Sequence, residues 1–332
     1  IDAQTGQVRF SPSSGVAGQT EVATIQISDG TQSTVASLKF VRLSAAAKSI
    51  VFPVLGDLKE DLADSARGRV YFTNRSRNRI ERFDLPSNTL LSPIAAGSGP
   101  MSMDITPDSN SLVVTNGDSQ VVDRYDLASE PPQKAQQFEI PWSYLEAASS
   151  VVLLGNGHAL INSSFGNKSL YDLDLGNGQA VLTLAPFDTF RLQRTANYSK
   201  FLMISTNGYR EVNLFEPNFQ NPTLLVAQTD KANYLYLDSS ASKVLQGPRL
   251  QFFESALLAG STPGLCSHFV WNGGSKVYCH YSDSYLESYR LPSFNSEPSI
   301  PLPIRATGRL HHTSDGRVIT IGEGGFCVTR LP

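Results

Sequence analysis

The sequence predicts an all-β fold, and three observations carry that prediction. One phrase recurs. Val70-Tyr71-Phe72-Thr73-Asn74 and Leu112-Val113-Val114-Thr115-Asn116 are apolar runs ending in Thr-Asn, each followed by a polar loop and an alternating run that closes on Phe83-Asp84-Leu85 or Tyr125-Asp126-Leu127. Leu85 and Leu127 stand 42 residues apart, and a repeat of about 40 residues made only of short strands marks propeller blades. A tight polar turn followed at once by an apolar run also occurs seven times, with those runs opening at Val70, Leu112, Ala159, Phe201, Val244, Val277 and Val318. Finally, the stretch from Ser49 to Pro332 divides into seven units of about 40 residues. Together these predict a seven-bladed β-propeller.

Taken in order, residues 1–43 differ from the rest. Gln7–Phe10, Glu21–Ile27 and Thr34–Leu43 alternate apolar and polar residues, as strands with one wet face do. Turn signals separate them at Ser11-Pro12-Ser13-Ser14-Gly15 and at Asp29-Gly30. Asp29 reads as a turn former ahead of a calcium ligand. Three strands cannot bury both faces of a sandwich, which takes about seven strands. The expectation is therefore a partial β-sandwich completed by an upstream segment or by another chain. Residues 44–48 (Ser-Ala-Ala-Ala-Lys) read as a linker, and 49–332 as the propeller.

Within the propeller, the second strand of each blade follows its turn. The third strands are expected at Ile80–Leu85, Val121–Leu127, Leu170–Leu175, Val212–Phe215, Leu250–Phe253, Leu286–Leu291 and Phe326–Leu331. Fourth strands are expected at Leu90–Ala95, Ala135–Ile140, Ala180–Leu184, Thr223–Ala227, Ala256–Ala259 and Ser299–Leu302. The last blade lacks its own. Ser49–Val54 is free to supply it, which predicts a ring closed by pairing of this N-terminal strand with the last blade.

Two resemblances follow from these residues. Pro107-Asp108-Ser109-Asn110-Ser111-Leu112-Val113-Val114-Thr115-Asn116, with Tyr125-Asp126, resembles the YVTN-type family of seven-bladed propellers. That resemblance spans residues 49–332 and implies a cell-surface protein of bacterial or archaeal type. Asp2 to Pro12 and Ile25 to Gly30 resemble the C-terminal half of bacterial putative-Ig, or dystroglycan-type cadherin-like, modules; Ser11 occupies an extra position in the first motif.

Composition narrows function. Charged residues are 17% of the chain and the net charge is −3, which argues against nucleic-acid and anionic-membrane partners. Apolar runs are far short of a membrane span. The three cysteines, Cys266, Cys279 and Cys327, form no metal-ligand spacing, and no cofactor motif occurs. A two-residue turn within Asn272–Ser275 would set Cys279 opposite His268, leaving Cys266 and Cys279 diagonal. Three small buried thiols are then favoured over a bridge. The same register turns His280 away from His268. His311 and His312, adjacent on one strand, point to opposite faces. No metal site is expected from either pair.

In a propeller the loops between second and third strands gather around the mouth of the central channel. Here they carry Arg75, Arg77, Asp118, Phe165, Asn167, Tyr209, Arg210, Arg249, Tyr281, Tyr285 and Glu323. Arginine, asparagine and aromatic side chains on a concave rim suit a protein or glycan partner. The expected function is that of an extracellular surface protein of the adhesion or scaffold class, not an enzyme, and possible association with neighbouring copies follows from the incomplete sandwich. The alternative is a secreted hydrolase or lactonase at the channel mouth, which convergent carboxylates and arginines around a deep pocket would favour.

Overall fold

The computed structural model describes residues 20–28, 33–41, 49–142, 148–163, 169–184, 190–195, 197–205, 211–216, 223–229, 235–237, 243–246, 249–252, 258–261, 268–272, 276–280, 284–290, 295–313 and 315–331. Seven four-stranded antiparallel sheets follow one another along the chain. Sheet I is Leu58–Asp64, Arg69–Asn74, Arg79–Asp84 and Thr89–Ala95; sheet II is Pro100–Ile105, Ser111–Asn116, Val121–Asp126 and Gln133–Glu139. Sheet III is Ala148–Leu153, His158–Ser163, Leu170–Asp174 and Ala180–Leu184; sheet IV is Phe190–Arg194, Phe201–Ser205, Glu211–Glu216 and Thr223–Thr229. Sheet V is Leu235–Leu237, Lys243–Gln246, Arg249–Phe252 and Leu258–Ser261; sheet VI is His268–Asn272, Lys276–His280, Tyr285–Arg290 and Asn295–Pro301. Sheet VII is Ala306–His312, Arg317–Gly322 and Gly325–Arg330, with Ser49–Pro53 as its fourth strand. The N-terminal segment contributes a separate hairpin, Thr20–Ser28 paired with Ser33–Val41. The strand expected at Gln7–Phe10 lies outside the described residues.

The expected closed seven-bladed ring is corrected. No sheet closes on itself: each hydrogen-bond ladder ends at a first and a fourth strand. Ser49–Pro53 pairs with Gly325–Arg330, Ser49 opposite Thr329 and Pro53 opposite Gly325, and so completes sheet VII without joining it to a neighbour. Neighbouring sheets meet by side-chain packing instead. Their first strands touch in the succession VI, VII, I, II, III, IV; among the described residues no contact of that extent ties in the first strand of sheet V.

The second strands are continuously apolar because both of their faces are covered. In sheet I, Val70 and Phe72 pack toward sheet VII with Phe52, Ile319, Ile321 and Phe326. Tyr71, between them, packs toward sheet II with Met103, Ile105, Leu112 and Val114. Phe326 anchors the first seam, its ring centroid 4.4 Å from Phe72, 5.2 Å from Phe52 and 5.3 Å from Phe83. Gly325 lets the N-terminal strand approach: it sits at φ +150°, and a Cβ there would lie 2.2 Å from the Phe52 carbonyl oxygen.

The Thr-Asn phrase has a structural role. The first strands of sheets I, II, III and VII slip register near their beginnings, at Leu58/Asp61, Pro100/Ser102, Ala148/Ser150 and Ala306/Leu310. A bulge frees backbone groups from the ladder. Thr73 Oγ1 accepts the Glu60 N–H at 3.0 Å, and Thr115 Oγ1 accepts the Ser102 N–H at 3.1 Å. In sheet III, Asn162 Oδ1 does the same for the Ser150 N–H at 2.9 Å. The following asparagines fix the third strand: Asn74 Nδ2 donates to Glu81 at 2.6 Å, and Asn116 Nδ2 to Asp123 at 3.0 Å.

Candidate functional site in the inner cavity

The free edge of each first strand carries backbone N–H groups with no strand to receive them, and buried donors need partners. Side chains of the preceding sheet meet that need. Glu60 Oε2 accepts the Met103 N–H at 3.2 Å, Ser102 Oγ the Val151 N–H at 3.2 Å, Asp104 Oδ2 the Leu153 N–H at 2.8 Å, and Ser150 Oγ the Leu192 N–H at 3.1 Å. These contacts fix the first strands of sheets I to IV against one another and draw acidic residues inward.

The result is a cavity of about 290 Å3 bounded by the first strands of sheets I, II, III, IV and VII. Its ionisable lining is Glu60, Asp61, Asp104, Arg194, Arg309 and His311; Leu62, Met103, Val151, Val152, Leu192 and Leu310 are its apolar lining, with Gln193 beside them. The bulge between Leu58 and Asp61 breaks the strand's alternation, and consecutive Glu60 and Asp61 both line the cavity. Arg194 holds Asp104 in a two-pronged pair, Nε to Oδ2 at 2.6 Å and Nη2 to Oδ1 at 2.8 Å. It also lies 3.6 Å over the Tyr198 ring. Arg309 pairs with Glu60. Asp61 is left with His311, whose Nδ1 stands 3.5 Å from Oδ2, and Asp61 Oδ1 is buried without a hydrogen-bond partner among the described residues. Burial pushes the Asp61 carboxyl above its usual range, although His311 and Arg309 pull the other way. Burial also pushes the His311 imidazole down, with Asp61 opposing. A wider groove of about 670 Å3 lies against Gln120, Glu139 and Trp142.

The loop residues singled out by sequence fare differently. Arg75 Nη2 bonds Asp118 Oδ1 at 2.6 Å, bridging the loops of sheets I and II with both side chains well exposed. Arg77 is exposed, and Tyr285 is 41% exposed. Glu323 pairs with Arg305 at 3.3 Å. Arg249 opens the third strand of sheet V, its side chain outside the described set. Phe165, Asn167, Tyr209, Arg210 and Tyr281 lie outside the described residues. Sequence reasoning missed Glu60, Asp61, Asp104, Arg194 and Arg309 because the first strands carry no repeated phrase. From sequence, His311 stands out only as one of an adjacent histidine pair.

Two expectations around the cysteines are corrected. Asn272 pairs with Lys276, and Cys279 therefore lies opposite Phe269 and not opposite His268. His268 faces His280, whose Nε2 lies 2.8 Å from the Gly308 carbonyl oxygen. Cys279 is disulfide-bonded and not a free thiol, whereas Cys327 is free and buried, its thiol pushed up to about 11 by burial. Cys266 lies outside the described residues. Among those residues, no group of three His, Cys, Asp or Glu side chains is placed to hold a metal ion, and no helix is long and apolar enough to cross a membrane.

No family model matches this chain, and no curated protein matches it. Solved structures do. The β-propeller domain of Myceliophteria thermophila Cps50 (Swd1) superposes with a TM-score of 0.67 at 10% identity, covering 86% of this chain and 100% of that one. Kuenenia stuttgartiensis hydrazine synthase gives 0.63 at 11% identity, covering 80% and 92%. At such identity the likeness carries the fold alone, and it supports a propeller-like all-β fold.

Proposed function

We propose that this chain is a binding or scaffold protein of an extracellular surface, with the loop face of its sheets as the docking platform. The YVTN-type and cadherin-like resemblances belong to this reading. The observation that carries it is the division of charge. Inside the cavity, Glu60 and Asp104 are each taken up by an arginine, as structural ion pairs are. At the loops, Arg75, Asp118, Arg77 and Tyr285 face solvent, where charge and aromatic surface are open to a protein or glycan. The disulfide at Cys279 and the low charge content support an oxidising, extracellular compartment. The test is binding of the full chain to glycan and peptide arrays. Saturable binding that falls at least tenfold in R77E supports the platform; binding that R77E leaves unchanged contradicts it.

A second reading, a hydrolase or lactonase, is favoured by the buried Asp61–His311 pair. One carboxyl pushed up and one imidazole pushed down are acid and base candidates. Turnover of a sugar lactone that disappears in D61N would replace the platform reading with this one.

A further inference from the structure

The inner cavity contains three described carboxylates, Glu60, Asp61 and Asp104, against two guanidiniums, Arg194 and Arg309. Each guanidinium is committed to one carboxylate, Arg309 to Glu60 and Arg194 to Asp104. Asp61 is the remainder. Its side chain is only 4% exposed, its Oδ2 has a histidine ring at 3.5 Å, and its Oδ1 has no hydrogen-bond partner among the described residues. A buried carboxylate oxygen left unmatched is destabilising, so a group that both donates a hydrogen bond and brings positive charge is favoured there. The cavity lining also includes the aliphatic Leu62, Val151, Leu192 and Leu310, alongside the polar Gln193. The volume, about 290 Å3, falls at the small end for ligand cavities.

We infer that this cavity binds a small aliphatic ammonium compound, its ammonium group seated on the Asp61 carboxylate and its alkyl chain against the leucine and valine side chains of the lining. A neutral alcohol offers the donor without the charge, and an anion meets the unpaired carboxylate. This inference is independent of the loop-face reading, because none of its residues lies in those loops.

The test is calorimetric titration of the full chain with n-butylammonium, with n-butanol as the neutral analogue. The expected result is saturable n-butylammonium binding, at least tenfold weaker n-butanol binding, and at least a tenfold loss of n-butylammonium affinity in D61N. Thermal melting of the wild-type chain guards against a variant that fails to fold: n-butylammonium is expected to raise Tm and n-butanol to leave it unchanged. Equal binding of the two probes, unchanged n-butylammonium affinity in folded D61N, or no saturable n-butylammonium binding at millimolar concentration would each overturn the inference.

Discussion

At the residue scale, the Thr-Asn phrase joins sequence to fold. Thr115 is fully buried, its hydroxyl accepting the Ser102 N–H and donating to the Ser102 carbonyl at 3.2 Å. Thr115→Val keeps the shape and strands both groups, so it is expected to cost about 1–3 kcal/mol in urea unfolding. A second residue-scale expectation concerns pH. The folded His311 has its pKa below the unfolded value of about 6.5, so below that value the unfolded chain takes up a proton that the folded chain refuses. His311 therefore contributes a loss of stability as pH falls from 7 to 5, and Asp61, whose carboxyl is pushed up by burial, contributes in the opposite sense. Denaturant titrations at those pH values are expected to show a smaller loss in H311Q, and an equal loss would remove His311 from the account. The repeated phrase was legible because it recurs; its hydrogen bonds were not, since they close on the unrepeated first strands. Asp61 sat in Leu58-Lys59-Glu60-Asp61-Leu62 as one more polar residue, and only the bulge brings it into the cavity beside Glu60.

At the element scale, strands were readable where both faces are buried. Val70–Phe72 and Leu112–Val114 stand out as apolar runs, and each sits at a seam between two sheets. Register was less readable. Asn272 pairs with Lys276, one residue beyond the expected partner, and one residue moves every side chain of the partner strand to the other face. The seam between sheets VII and I depends on Phe326, which contacts Phe52 on the N-terminal strand and Phe72 and Phe83 on sheet I. Phe326→Ala is expected to cost about 3–5 kcal/mol, read by denaturant unfolding. A cost below about 1 kcal/mol would mean that the seam does not hold the N-terminal strand in place.

At the scale of the whole molecule, sheets meet by side chains, and polar groups as well as apolar ones carry the joints. Arg82, almost fully buried in sheet I, reaches Glu130 of the sheet II connection at 2.6 Å, and Arg69 reaches the same carboxylate at 2.7 Å. Arg317 of sheet VII donates to the Leu85 carbonyl oxygen of sheet I at 2.8 Å. The ring closure read from the sequence assumed that pairing the two chain ends would close the whole assembly, whereas it completes a single sheet. Thiol chemistry gives a prediction at this scale. Denatured without reductant, the chain is expected to take up one alkyl label among its three cysteines, at Cys327. Three labels by intact mass would contradict the disulfide at Cys279 and weaken the proposal of an extracellular location.

The central claim is that macromolecular binding belongs to the loop face and not to the inner cavity. One array experiment separates the two, with the wild-type chain, the loop double variant R75E/R77E and the cavity variant D61N compared side by side. The account predicts that R75E/R77E loses binding to the protein or glycan probe while D61N retains it. Loss of that binding in D61N, with R75E/R77E unaffected, would contradict the account and move the function into the cavity.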